Sequence, residues 1–433
     1  MEKKSKRNWL ILSYQTNRAS ACSQHIDDKL PALMAKGINP IVLSSTGGQR
    51  HSDFTHKTAL SIAPSGLRFE LRSFLRLHCK TKFTFKLFET PLLLPILPLY
   101  LLEKIILDLE NEWSWYIRAS QIGNKLCKQY QPEIIYSTGG PACAHLAAYK
   151  IAKKNNIPWI AELQDPIIHD AEYHRSKRAF RYYSWLEKRI RKYSCATIFM
   201  CDSARQNCNN RTGISRNSYT IYPGAGNQST ERVLKDSKKC TFDHFGTLAG
   251  SRDGTVLIAA IQQCLDRNPA LIARIKFNFY GTCDAATTRC IANFPYPNII
   301  EFHGKIPRDQ AIARMNNSSC LILIQNREFF SSETIPSKLY EYMNTGRPIL
   351  ALTYQNREID KILHDSGHFS VPADKQQAIS EKIEEIATTG ISNGLKASWP
   401  ESPWTIKRAV DQLLAIAKTC LQSNPVHEER HLS

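Results

Sequence analysis

Short apolar runs recur along the chain, each closed by turn residues and separated from the next by stretches with helical spacing. Residues 8–13 (NWLILS) read as a strand, 26–36 as an amphipathic helix stopped by Gly37, and 41–43 as a second strand. This βαβ opening predicts a parallel sheet with helices on its faces. The alternation returns at 132–137 (PEIIYS), where a tight loop, Thr138-Gly139-Gly140-Pro141, leads into a helix over 145–154. A strand at 157–163 (IPWIAEL) then ends at Gln164-Asp165-Pro166. Residues 195–201 read as a further strand and 219–226 as a strand running into a Gly-rich turn, and Ser, Thr and Lys crowd together from 223 to 239, which predicts a linker there. Beyond it the pattern starts afresh. Strands are expected at 241–245, 275–280, 299–302, 320–324 and 349–352, with helices near 255, 375–387 and 403–420. The predicted organisation is a first domain over 1–222, the linker, a second domain over 240–402, and a terminal helix with a polar tail over 403–433.

One stretch of the first domain departs from this rhythm. Arg68, Arg72, Arg76 and Lys80 repeat every four residues beside Leu67, Leu71, Phe74, Leu75 and Leu77, as in a basic amphipathic helix. Residues 91–102 (PLLLPILPLYLL) follow, with three prolines. They are too short for a spanning helix, which needs roughly 20 apolar residues. Residues 67–107 are therefore read as an insertion. Two alternatives stay open for it: shallow attachment to an anionic membrane, or a helical hairpin folded onto its own domain. The helical stretch 175–192, basic with interleaved aromatics, reads as a solvated face or as a surface for membrane or nucleic acid.

The richest chemistry lies at 328–352, EFFSSETIPSKLYEYMNTGRPILAL. A loop enters a helix, Gly346 stops it, and a short apolar strand follows. Leu339, Tyr342 and Met343 fall on one face and are expected to pack inward, with Lys338 and Glu341 opposite. Pro336 is expected in the first helical turn, where its missing N–H costs nothing. The free N–H groups near Ile335, Pro336 and Ser337 would hold a phosphate, with Lys338 adding charge. Glu341, about two turns in, would accept hydrogen bonds from ribose hydroxyls.

Glu333 and Glu341, seven residues apart between them, together with Lys338, Gly346, Arg347 and Pro348, resemble the donor-binding signature of family 4-like glycosyltransferases of the GT-B fold. The run from 132 to 166 resembles the amino-terminal domain of the same group. The resemblance implies an α/β protein with two Rossmann-like domains, their parallel sheets facing across a cleft. It implies retaining transfer from a nucleotide-sugar, with neither metal nor cofactor; the chain also has no clear DxD motif. Glu333 would orient the donor sugar and Glu341 the ribose. The loop Gly246 to Gly254 would hold the pyrophosphate, with Arg252 in the second basic position and Thr247 where the first is expected. Backbone groups at Gly304 would hold the base. Gly139 and Gly140 would admit the acceptor beside Asp165, which would orient or deprotonate its hydroxyl. Gln164 stands where relatives carry a His, so a general-base His does not carry over, and residues 14–24 lack the family's Gly-rich loop.

Charge sharpens the choice of partner. The chain carries a formal net charge of +18, which calls for an anionic partner. The candidates are nucleotide phosphates, with a glycan or lipid-linked acceptor, and an anionic membrane surface. Nucleic acid rests on charge alone and is not expected. Thirteen cysteines are scattered without a CxxC pair, and the apolar start is too short for a signal peptide. A cytoplasmic protein, peripheral on the inner face of the cell membrane and working in surface-polysaccharide synthesis, is the expectation. The alternative is a non-catalytic nucleotide-sugar or membrane-binding protein on a degenerate GT-B scaffold; a same-fold epimerase would need a catalytic set that is not found.

Overall fold

The computed structural model describes residues 7–16, 21–46, 51–79, 81–168, 176–226, 239–393 and 402–423. Much of the linker foreseen at 223–239, the polar tail, Lys80 and part of the loop 14–24 lie outside them. The chain divides into two compact units, Met1–Tyr222 with Ile406–Ser433, and Pro223–Thr405.

The first unit is built on seven parallel strands: β1 (Arg7–Leu12), β2 (Ile38–Ser45), β3 (Thr55–Ala59), β4 (Ile134–Gly139), β5 (Trp159–Leu163), β6 (Ala196–Phe199) and β7 (Ser218–Thr220). Their order is β3-β2-β1-β4-β5-β6-β7. β1 and β4 are neighbours in register Trp9↔Ile134 to Leu12↔Ser137, and the strand order reverses between them. Both faces are covered by helices, which is why strands such as β4 and β5 are buried along their whole length. The helix Ile406–Gln422 belongs to this unit. It buries Ala409, Val410, Leu413 and Ala417 in the core that Trp9, Ile11 and Tyr136 share.

The second unit has six parallel strands: β8 (Cys240–Leu248), β9 (Ile275–Cys283), β10 (Ile300–Gly304), β11 (Cys320–Ile324), β12 (Ile349–Thr353) and β13 (Phe369–Pro372), in the order β10-β9-β8-β11-β12-β13. Here the order reverses between β8 and β11. The chain enters and leaves this unit side by side: Ala225 N–H donates to the Trp404 carbonyl at 3.2 Å. Gly224, with φ of +68°, makes that approach possible, since a Cβ there would stand 2.5 Å from the Thr405 carbonyl carbon.

Two strands run further than their apolar cores suggest. β8 continues past Phe245 through Gly246 and Thr247 because it pairs residue by residue with β9 up to Leu248↔Cys283. Gly246 and Thr247 thus lie in a ladder, not in the loop expected for them. Gly281 permits this: at φ +136° its absent Cβ would stand 1.8 Å from the Gly246 carbonyl oxygen. Likewise Gly139 is the last residue of β4 rather than part of a loop.

Residues 64–106 form the helices Pro64–His78, Lys82–Leu93 and Leu97–Ile106. Arg68 and Arg72 turn toward this hairpin, while Arg76 stays exposed. Arg68 lies over the Tyr100 ring at 4.5 Å, Arg72 pairs with Glu89 at 2.7 Å, and Arg76 lies over Phe85. The outer face is apolar instead, with Phe83 76% and Ile105 70% exposed and nothing buried in the helix Leu97–Ile106. Among the described residues no single helix is long and apolar enough to cross a membrane; Phe83–Leu93 and Leu97–Ile106 reach that length only together, bent by 70°. The basic helix Lys177–Tyr193 also spends charge locally: Arg189 lies over Trp185 at 5.0 Å and Arg178 donates to the carbonyls of Ile105 and Ile106.

Candidate functional site

In open parallel sheets, ligands gather outside the carboxyl ends of the two strands between which the order reverses. In the second unit those are β8 and β11. Arg252 lies in the loop after β8, while Glu333, Lys338 and Glu341 follow β11. The two loops are tied together. Arg327 N–H donates to the Ser251 carbonyl at 2.9 Å, and the Arg327 guanidinium pairs with Asp253 at 2.7 Å. Two amides fix the segment carrying Glu333: Gln325 and Asn356 each donate to both the Ser331 and the Thr334 carbonyls. Asn356 also caps the next helix by accepting from Ile359 N–H. Neither amide is foreseeable from a motif, since each acts through backbone groups distant in sequence.

Glu333 ends a 3₁₀ turn, Phe329–Glu333, and the helix that follows runs only from Lys338 to Asn344. Pro336 therefore precedes the N-cap Ser337 rather than sitting inside the first turn, and Glu341 lies one turn in, not two. The opening is tight. Leu339 and Tyr340 N–H groups already donate to the Pro336 and Ser337 carbonyls, at 2.9 and 3.2 Å, so neither of these two is free for a ligand. Leu339, Tyr342 and Met343 pack inward as the spacing predicts. Gly346 closes the helix at φ +62°.

Both carboxylates are withdrawn from solvent, Glu333 at 6% and Glu341 at 5% exposure. Glu341 is held by Lys338 at 2.5 Å and by Arg308 at 3.4 Å. Arg308 had no signal in the sequence, because it reaches the site from the helix after β10. Gly304 ends β10 at φ +71°, with open space on its Cβ side. Beside it His303 stacks on Tyr280 at 4.5 Å, and Tyr280 on Phe245 at 4.6 Å. Thr247 is exposed and accepts from the Thr282 hydroxyl at 3.1 Å.

The side chain that the sequence reading missed is His244. It is 3% exposed and points to the same side of β8 as Gly246. Its Nδ1 lies 3.0 Å from the Ile322 carbonyl oxygen, which can only accept, so Nδ1 carries the proton. Its Nε2 has no hydrogen-bond partner among the described residues, nor has Nε of Arg252. Burial, reinforced by the charges of Arg252 and Lys338, pushes the imidazole pKa down to about 4. Burial also lowers the pKa of Arg252, opposed by Tyr342.

In the first unit the reversal point lies between β1 and β4. A Cβ added to Gly140 would stand 3.3 Å from Asp165 Oδ2 and 3.4 Å from Cys22 Sγ, so the bare glycine leaves room where two strand-end loops meet the start of the helix Ala21–Ala35. Asp165 is exposed at the surface, and partial desolvation raises its pKa. The Cys22 thiol is pushed up to about 11 by burial and by Asp165. Beneath them lies a buried ion pair, Lys29 with Glu162 at 2.5 Å, each 2% exposed. Burial alone would raise the Glu162 pKa, but Lys29, Thr138 and Tyr136 outweigh it and the carboxyl is held below its usual range. Gln164 donates to Thr138 Oγ1 and to the Cys22 carbonyl, at 3.1 and 3.2 Å. It thus works as a strut between β4, β5 and the first helix. Glu110 accepts from Ala142 and Cys143 N–H at the start of the helix after Gly139 and Gly140, and burial raises its pKa to about 8.

No protein-family model and no curated protein sequence matches the chain. Solved structures do. The structure of Anabaena HepE in complex with UDP-glucose is 12% identical, with a TM-score of 0.58, over 96% of this chain and 98% of that one. TarM, of S. aureus, is 8% identical with a TM-score of 0.63, over 96% and 100%. The lipopolysaccharide outer core galactosyltransferase WaaB is 11% identical with a TM-score of 0.57, over 89% and 91%. At such identities the likeness speaks for the fold, and it agrees with two parallel sheets of seven and six strands in separate units: this chain has the GT-B fold.

Proposed function

We propose that the protein is a retaining, metal-independent glycosyltransferase that moves a sugar from a nucleotide-sugar to a glycan or lipid-linked acceptor in surface-polysaccharide synthesis. The observation that carries this reading is the pair of buried carboxylates, Glu333 and Glu341, flanking Lys338 where the second sheet's order reverses. Solvated helix glutamates would not be withdrawn from water in that place. The ligands of Anabaena HepE, UDP and UDP-glucose, favour a uridine diphosphate donor. In the reading, Lys338 turns from Glu341 to the leaving diphosphate and Arg252 joins it, stabilising charge that develops as the glycosidic bond breaks. Glu341, still held by Arg308, takes the ribose hydroxyls, and Glu333 orients the sugar. Backbone at Gly304 meets the base. Asp165 orients or deprotonates the acceptor hydroxyl, which approaches over Gly139 and Gly140.

The outward apolar face of the helices at 82–106 supports a bilayer as the place of action. An apolar surface of this size is costly to leave in water, and the net charge of +18 suits an anionic headgroup layer. The arginines that face the hairpin hold its shape, and the apolar side chains make the shallow contact. Sedimentation with phosphatidylglycerol vesicles tests this: Phe83→Ser with Ile105→Ser should leave the protein in the supernatant, and undiminished sedimentation would remove the bilayer from the proposal. The transferase reading is tested by release of UDP from UDP-sugars, with Glu333→Ala and Lys338→Ala as controls. Turnover equal to that of the unaltered chain in both variants would defeat the site assignment.

A further inference from the structure

We infer that the imidazole of His244 is a direct ligand of the donor's diphosphate, in place of the base missing at position 247. This deepens the proposed function and rests on its donor site.

Three observations converge on it. First, position 247 contributes no charge: Thr247 is exposed, bonded to Thr282, and by the alternation of a strand points away from the His244 side. Second, Nε2 of His244 is buried without a hydrogen-bond partner among the described residues, although a buried polar atom ordinarily has one. Third, it is kept open. A side chain at 246 would place its Cβ 3.2 Å from Nε2, and Gly246 has none. The groups known to act on the ring are the Ile322 carbonyl from β11, Arg252 from the loop after β8, and Lys338 from the helix after β11. From β9 the uncharged Phe279 meets it edge-on, with ring centroids 6.4 Å apart. Two cations beside an unpartnered ring nitrogen and an unpartnered guanidinium nitrogen suit a ligand carrying more than one negative charge.

The chemistry has a consequence for protons. Nδ1–H already serves Ile322, so Nε2 can donate to a phosphate oxygen only after the ring takes up a proton. In the free protein, burial and the two cations keep the ring neutral. A diphosphate placed among the three groups reverses that field and favours the imidazolium. Binding therefore draws a proton from solvent at pH 7–8, above the range in which phosphate itself titrates, about 6.

Calorimetry of the full chain with ADP, GDP, CDP and UDP tests this, using the tightest binder and its parent nucleoside. The heat of diphosphate binding at pH 7.5 should depend on the buffer's ionisation enthalpy, showing proton uptake, whereas the nucleoside's should not. His244→Phe should weaken the diphosphate about 10-fold or more, leave the nucleoside unchanged and abolish the buffer dependence. Gly246→Ala, which crowds Nε2 without removing the ring, should weaken the diphosphate alone. Lys338→Ala should weaken the diphosphate while retaining proton uptake. If Lys338→Ala weakens binding but His244→Phe and Gly246→Ala do not, His244 is no ligand and the donor site stands without it. Should no nucleoside diphosphate bind the unaltered chain, the donor-site reading falls and this inference with it.

Discussion

The two units place their candidate residues at the same topological position, outside the strands where each sheet's order reverses, yet they treat charge there in opposite ways. In the first unit charge is consumed. Lys29 and Glu162 pair in the interior, Thr138 donates to Glu162 and accepts from Gln164, and Glu110 caps the helix that follows Gly139 and Gly140. What remains open is a small gap over Gly140 beside Asp165. In the second unit charge is held in reserve. Lys338 is shared with Glu341, Arg252 keeps an unpartnered Nε, and His244 keeps an unpartnered Nε2. A site that must grip a polyanion needs donors that cost little to redirect. A site that admits a neutral hydroxyl needs shape and one carboxylate.

Removing Glu333 strikes the second unit where the chemistry would occur. Glu333→Ala is expected to lower sugar transfer about 10²-fold or more while nucleoside diphosphate affinity changes little, as measured by kcat and calorimetry side by side. Removing Lys29 strikes the first unit's self-paired network instead. Lys29→Met leaves Glu162 charged and buried, and is expected to destabilise the protein by about 3–5 kcal/mol in denaturant unfolding. The double variant with Glu162→Gln should recover much of that loss, because no uncompensated charge then remains. Lys338→Ala is expected to weaken nucleoside diphosphate binding about 10-fold, with stability little altered, since its pair with Glu341 is part-exposed and Arg308 still faces that carboxylate.

The last effect is a pH response, that of Glu110. Its folded-state pKa, about 8, lies above the ordinary carboxylate value, so the folded chain binds the proton more tightly than the unfolded one. Stability from this group is present in full below the unfolded pKa and declines as pH rises toward 8, then levels off. Glu110→Gln should flatten that decline between pH 5 and pH 9, as read by denaturant unfolding across that range. A parallel decline in the variant would show that Glu110 does not cause it. If the comparison of the units is right, this variant and Lys29→Met shift stability, whereas Lys338→Ala shifts ligand affinity.

Much of the alternating fold was legible because buried parallel strands must be apolar along their length, as in CLILI at 320–324. Strand ends were not. β8 and β4 run on through Gly246, Thr247 and Gly139 because a neighbouring strand offers hydrogen bonds there, which no single segment reveals. The helix start was misplaced as well: Pro336 suggested a first turn at 335–337, but those residues only link a 3₁₀ turn ending at Glu333 to a helix that opens at Lys338. At the donor side, the charged residues of one contiguous stretch, Glu333, Lys338 and Glu341, could be read together. Arg308, Gln325, Asn356 and His244 could not, since they meet that stretch only through the fold. His244 had one readable sign, a polar residue two positions before a glycine inside an apolar strand. The basic ladder at 68–76 misled about direction, because periodicity shows that arginines share a face and not whether that face meets solvent or Tyr100 and Glu89.

The most direct test is a crystal structure of the chain with its tightest nucleoside diphosphate bound. The account predicts the two phosphates within hydrogen-bond distance of Arg252, Lys338 and His244 Nε2, with the ribose hydroxyls on Glu341. A nucleotide bound elsewhere, or one at this site with Lys338 still closed on Glu341 and the phosphates turned to solvent, would contradict it.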